Sequence, residues 1–182
     1  YSLFGYTPRR TGQIAEHLYL EALISYPRTS SQKLPPTINY KAILNGLGQH
    51  PAYTALTAEL LQKEALRPRE GAKEDPAHPA VYPTGNRPTR DLEDTERRVY
   101  DLVVRRFLAV FGDSGIKQSM KAAINVNGHY FYLRGRRIVK EGWMKFYKPF
   151  LHSEEILLPP IREGESVQLT KVAREDKFTK PP

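Results

Sequence analysis

Cysteine is absent from the 182 residues, which excludes disulfides and thiolate metal sites and suits a reducing compartment. No apolar run approaches the roughly 18 residues that a membrane helix needs, so no membrane span is expected. The N-terminus has no basic-then-apolar pattern of a secretory signal. It also lacks an initiator Met: the chain opens Tyr1-Ser2-Leu3-Phe4-Gly5 and closes Lys180-Pro181-Pro182, as a piece of a longer protein would. Asp-x-Asp, a common divalent-cation pattern, does not occur. The nearest acidic cluster, Glu93-Asp94-Thr95-Glu96, reads as a helix start, so no metal ligand is assigned.

What remains describes a loop-rich, foldable chain. Fifteen prolines and twelve glycines accompany 40% apolar residues, enough for a genuine core in one domain or two small ones. The net charge is +8, and a basic balance points to a polyanionic partner. Residues 1–116 hold 15 Lys/Arg against 13 Asp/Glu, whereas 117–182 hold 13 against 7. Any grip on a polyanion in the first part must therefore be local.

Thr7-Pro8 reads as a helix start, with Thr at the N-cap and Pro in the first turn. Ile14, Leu18 and Ala22 then share a face, flanked by Ala15, Tyr19 and Leu23, while Arg9, Arg10, Gln13, Glu16 and His17 take the wetter side. This spacing predicts a helix running straight towards Tyr26. Two more helices are expected, from Asn39 to Leu47 ending at Gly48, and from Pro51 to Leu66. Between Arg67 and Arg90 regularity disappears, broken by Pro68, Pro76, Pro79, Pro83 and Pro88. A loop of that length in a compact domain is usually functional or disordered. Asp94 opens the clearest helix, with Val99, Val103, Phe107 and Val110 in one stripe and Gly112 closing it. Its arginines read as a solvated face in preference to a nucleic-acid contact.

Beyond Gly115 the period changes to two. Residues 121–126 and 129–134 flank Asn127-Gly128, the strongest short hairpin signal, and strands are also expected at 142–147 and 166–172. The fold class is α+β. A mainly helical domain with a helix-turn-helix-like element spans 1–116, and a small antiparallel β segment spans 117–182.

Leu23-Ile24-Ser25-Tyr26-Pro27-Arg28-Thr29-Ser30-Ser31 is the segment with the most chemistry. Pro27 biases Tyr26 towards extended angles, and in extended chain residues i and i+2 project to one side. A phenol oxygen beside a guanidinium that matches phosphate geometry can present a nucleophile to a phosphodiester. Ile24-Ser25-Tyr26-Pro27-Arg28-Thr29 resembles the active-site signature of type IA DNA topoisomerases, especially the topoisomerase III branch and its archaeal relatives. Asp75-Pro76-Ala77-His78-Pro79-Ala80-Val81-Tyr82-Pro83-Thr84-Gly85 resembles the family's second hallmark, with Pro79 and Tyr82 in an archaeal wording. Ser30 departs from the usual acid of the family.

The resemblance implies that Tyr26 attacks a single-stranded DNA phosphate and becomes joined to the 5′ end, with Arg28 and His78 as further catalytic residues. It implies DNA contacts at Thr29, Ser30, Arg9, Arg10, Gln13 and Thr84, and a cytoplasmic, nucleoid-associated location. Because tyrosine ordinarily ionises near pH 10, such chemistry needs help with deprotonation and with the transition-state charge. No cofactor is expected in this chain. Mg2+ would be bound by the family's acidic Toprim domain, which is a partner together with the other domains, and the chain alone is expected to cleave nothing. Residues 117–182 would be part of the toroid-arch domain. A non-catalytic single-stranded DNA-binding module is the alternative; a tyrosine recombinase, which links the 3′ end, and a structural interaction domain are the further ones.

Overall fold

A computed structural model describes residues 1–152, 155–168, 170, 171, 173, 174, 176 and 178. The elements are α1 (Pro8–Leu20), α2 (Tyr40–Leu47), α3 (Thr54–Leu61), α4 (Asp94–Val110), β1 (Ile116–Val126) and β2 (His129–Lys140), followed by two 3-10 turns, Gly142–Lys145 and Lys148–Phe150. They divide into two compact units: residues 1–116 with the described residues of 139–153, and residues 117–138 with the described residues beyond 154. No helix of the described residues is long and apolar enough to cross a membrane.

The first unit is built on helix faces. Ile14 and Leu18 of α1 meet Val99, Val104, Phe107 and Leu108 of α4, and Ile43, Leu44 and Leu47 of α2 join them in one buried cluster. Such a cluster supplies the main driving force for the unit, because each fully buried aliphatic side chain contributes about 1.5–3 kcal/mol. Three rings, Tyr40, Phe107 and Phe111, stack at centroid distances of 5.0–6.3 Å. The α4 start is a capping box between Glu93 and Glu96, as the acidic run at 93–96 suggests. The helix ends at Val110, with Phe111 rather than Gly112 in the cap position. At its end Lys63 Nζ donates to Phe111 O at 2.8 Å and to Asp113 at 2.6 Å, which holds the Asp113 carboxyl below its usual range.

Three local expectations are corrected. First, α1 stops at Leu20 and Ala22 is exposed, outside the apolar face. Second, α3 covers only 54–61; Gln62 N and Lys63 N close its end with tighter bonds to Glu59 O and Leu60 O, three residues back. Third, residues 142–147 are a 3-10 turn over Gly142–Lys145 followed by a turn at 146–147, instead of a strand. Gly142 adopts φ +53 beside the Asp113–Gly115 backbone, Trp143 N donates to Asp113 O at 2.7 Å, and Met144 and Phe146 are buried. What the sequence offers as a strand is a tight turn that buries the side chains of Met144 and Phe146. In the first unit α2 and the 84–86 segment also touch closely: a Cβ on Gly46 would sit 2.2 Å from Gly85 O, and Gly85 has φ +87.

In the second unit β1 and β2 form a two-stranded antiparallel ribbon. Asn127 and Gly128, with φ 50 and 88, make the left-handed pair of a type I′ turn. Arg136 pairs with Ile156 in an isolated antiparallel bridge. The ribbon is mostly exposed, including Tyr130, Phe131 and Tyr132. The described residues of 166–171 are not in a strand; Leu169 and Val172 of the expected 166–172 strand lie outside the described residues.

Candidate active site

Helix α1 delivers the tyrosine segment, and its ends fix how. Thr7 Oγ1 accepts from Arg10 N at 3.2 Å. At the other end Ala22 takes the left-handed conformation, φ 55, while Ala22 N donates to Tyr19 O at 2.8 Å and Leu23 N to Leu18 O at 2.9 Å. This is a Schellman closure with alanine where glycine is usual. It reverses the chain abruptly and sends Leu23 and Ile24, 0% and 1% exposed, into the core.

The loop of residues 67–90 then runs antiparallel to the tyrosine segment. Ile24 and Pro83 form a bridge. Ser25 N donates to Tyr82 O at 2.8 Å and Thr84 N to Leu23 O at 3.0 Å, and Tyr82 N donates to Ser25 Oγ at 2.9 Å. Thr84 Oγ1 donates to Ala22 O at 2.6 Å. Further along, Ala80 N donates to Lys33 O and Gln32 N to Lys73 O, both at 2.8 Å. Proline removes donors from this loop, and several of its remaining amides stitch it to 22–34.

The consequence is a meeting of rings. Tyr26, 36% exposed, lies 4.8 Å from the half-buried His78 ring, tilted by 47°. Tyr19 packs edge-on against its other side at 5.4 Å and 74°. Thr29 Oγ1 donates to His78 O at 3.4 Å and accepts from Ser31 N at 3.0 Å. Arg28 faces α1 one turn before Tyr19 and pairs with Glu16 through Nη2 and Oε2 at 3.3 Å. The phenol and the guanidinium thus lie along the same helix.

The other sequence candidates are distributed as follows. Arg9 and Gln13 line a cleft of about 440 Å³ with Glu16, Pro27 and Arg28. Arg10 and Ser30 are exposed outside it. Thr84 has its hydroxyl committed to the Ala22 carbonyl and to Asn86 N, so its visible role is in holding the loop. Among the described residues no three His, Asp or Glu side chains gather as a cation site.

Chemistry separates Tyr26 from several of the other phenols. Tyr40 Oη donates to the carbonyls of Leu34 and Pro35. Tyr53 donates to Asp101 at 2.9 Å, and burial, reinforced by that carboxylate, raises its pKa. Burial pushes Tyr100 up to about 12. Buried phenols of that kind are poor nucleophiles, whereas Tyr26 reaches solvent beside the His78 imidazole.

Residue spacing misses one supporting network. Arg90 Nε donates to Glu21 at 2.7 Å, and its Nη atoms donate to both Glu96 oxygens at 2.8 Å. Glu96 is 4% exposed, and the Arg90 fork holds its carboxyl below the usual range. This ties the last turn of α1 to the first turn of α4, beneath the reversal at Ala22.

A sequence model of DNA topoisomerases matches residues 1–182. The chain belongs to the DNA topoisomerase family. It is 47% identical to DNA topoisomerase 1 of Pyrococcus horikoshii over the whole chain and 27% of that protein. With DNA topoisomerase 1 of Methanothermobacter thermautotrophicus it shares 42% over the whole chain and 25% of the relative. Mouse DNA topoisomerase 3-alpha is 32% identical over 96% of the chain and 17% of its own length. The chain therefore spans about a quarter or less of these curated relatives. For a DNA topoisomerase the Tyr26 and His78 segments carry the type IA wording, and they are the two segments that the antiparallel stitching joins.

Proposed function

We propose that this chain is the tyrosine-bearing part of a type IA enzyme that cleaves and rejoins single-stranded DNA, relaxing negative supercoils or decatenating. In this reading residues 1–116 are the domain of the nucleophile and 117–182 part of the toroid arch, acting in the cytoplasm on nucleoid DNA. The Tyr26 Oη attacks a phosphorus and loses its proton; the bond from phosphorus to O3′ breaks, and O3′ leaves as a hydroxyl. The 5′ phosphate stays on Tyr26 as an ester of comparable energy, so attack by the same O3′ restores the strand without a nucleotide cofactor.

Arg28 and His78 donate to the non-bridging oxygens, where charge develops. Arg9, Gln13 and Arg28 guide the strand along α1, with Arg10, Thr29 and Ser30 beside it and Thr84 holding the loop against the tyrosine segment. The Mg2+ that the resemblance implies belongs to an acidic Toprim domain.

The observation that carries this reading is the ring contact of Tyr26 with His78, 4.8 Å apart across 52 residues of sequence. The deciding experiment is Tyr26→Phe in the complete polypeptide. Relaxation and the covalent DNA adduct should vanish while single-stranded DNA binding survives. Retained relaxation would sink the assignment, and a blocked 3′ end would move the protein to recombinase-like chemistry. The 182-residue chain alone should bind single-stranded DNA weakly and form no adduct.

A further inference from the structure

A second cleft, of about 830 Å³, opens on the first unit, and neither Tyr26, Arg28 nor His78 lines it. Its walls are the turn between α2 and α3, the 86–92 segment and the first half of α4. Five arginines face it against two acids, Asp91 and Asp101. Three of the arginines are already engaged: Arg90 with Glu21 and Glu96, Arg97 with Asp94, and Arg105 with Asp101.

Arg87 and Arg98 are different. Among the described residues Arg87 donates only to the neutral Gln49 Oε1, at 3.3 Å. Arg98 is exposed, with no hydrogen bond or ion pair among the described residues. His50 adds a third donor, because its Nδ1 accepts from Ala52 N at 3.2 Å; a neutral ring then carries its proton on Nε2. Asp101 is spent on Arg105 and on the Tyr53 hydroxyl, which leaves Asp91 as the one unpaired carboxylate in the cleft.

We infer that this cleft binds the phosphodiester backbone of DNA at Arg87, Arg98 and His50, as a second contact separate from the strand at Tyr26. Guanidinium forks match phosphate oxygens bidentately, and donors spread over three walls fit a chain of phosphates better than a single ion. A solvated helix face would account for Arg98 alone. It does not account for donors without an acidic partner arriving from two other segments into the same concavity. The inference takes from the family only that DNA is the substrate, and it does not depend on Tyr26 being the nucleophile.

The test measures binding of the 182-residue chain to a fluorescein-labelled dT 20-mer and to a 20-base-pair duplex by anisotropy across a salt series. Each lost phosphate contact lowers the slope of log affinity against log salt by about 0.7 for single strands and about 0.9 for duplex. Arg87→Gln/Arg98→Gln should therefore flatten the slope by about 1.4 or 1.8 with the probe that the cleft takes. Asp91→Asn should act in the opposite direction and tighten binding. Lys41→Gln/Arg67→Gln removes the same charge from exposed positions outside the cleft and should change the slope by less than half as much. Circular dichroism melts confirm that each variant is folded.

An unchanged slope in folded Arg87→Gln/Arg98→Gln with both probes would overturn the inference. So would an equal effect of the Lys41/Arg67 pair, or weaker binding by Asp91→Asn. Loss of the covalent adduct in Tyr26→Phe of the complete polypeptide reads the nucleophile and the salt slopes read the cleft, so a failure of the one and a failure of the other are told apart.

Discussion

Arg28 sits 3.3 Å from Glu16 on a solvent-facing pair, with the two side chains 72% and 49% exposed. Exposed pairs of this sort contribute about 0–1 kcal/mol, so a phosphate can displace Glu16 from the guanidinium at little cost. Glu16→Gln is expected to raise single-stranded DNA affinity up to a few fold at low salt, with the gain fading as salt screens the pair; anisotropy titrations at two salt concentrations check it. Ala22 presents the opposite case, a residue strained by its own fold. A non-glycine residue in the left-handed region costs about 1 kcal/mol, and φ 55 puts Ala22 there. Ala22→Gly should therefore raise stability by about 0.5–1 kcal/mol, read as a higher denaturant midpoint with an unchanged slope. Neither feature is visible from residue spacing, because Ala22 continues the apolar face of α1 on a helical wheel. The helix end is decided by Leu23 and Ile24 entering the core.

Among the elements, α1 and α4 depend on the Arg90 fork. Glu96 is almost fully buried, so its charge is tolerated only while Arg90 and the Glu93 amide neutralise and solvate it. The folded pKa of Glu96 lies below that of the unfolded chain. Its contribution is thus fully present above the ordinary carboxylate pKa of about 4.3. It is lost as pH falls through the lower folded value. Glu96→Gln should cost about 2 kcal/mol at neutral pH and make the acid limb of a stability-versus-pH curve shallower; urea melts from pH 7 to pH 3 measure both. The sequence made the start of α4 legible through the acidic run at 93–96, and the hairpin through Asn127-Gly128. It did not disclose that Glu96 also serves Arg90, since that pairing depends on a loop returning to α1. Nor did it disclose the turns at 142–150, where buried Met144 and Phe146 imitate the period of a strand.

At the scale of the whole molecule the two units differ in how they are held. The first closes around buried helix faces, and the second is a ribbon with exposed aromatic rings that, among the described residues, is held beyond its own two strands by the Arg136–Ile156 bridge and a bond from Ile138 N to Glu155. The helical part with its motifs was readable because a 3.6-residue period and a tyrosine-proline-arginine run are local signals. The stitching of residues 67–90 was not, because it consists of backbone amides, which carry no identity in a sequence. That stitching anchors the proline-rich loop on both sides of its exposed tip, to Gln32 and Lys33 and to residues 22–25. A protease that nicks the chain after Glu74 should therefore release nothing. The two peptides should co-elute as one particle on gel filtration and separate only in denaturant, with phenol and imidazole still facing each other although no continuous polymer joins them.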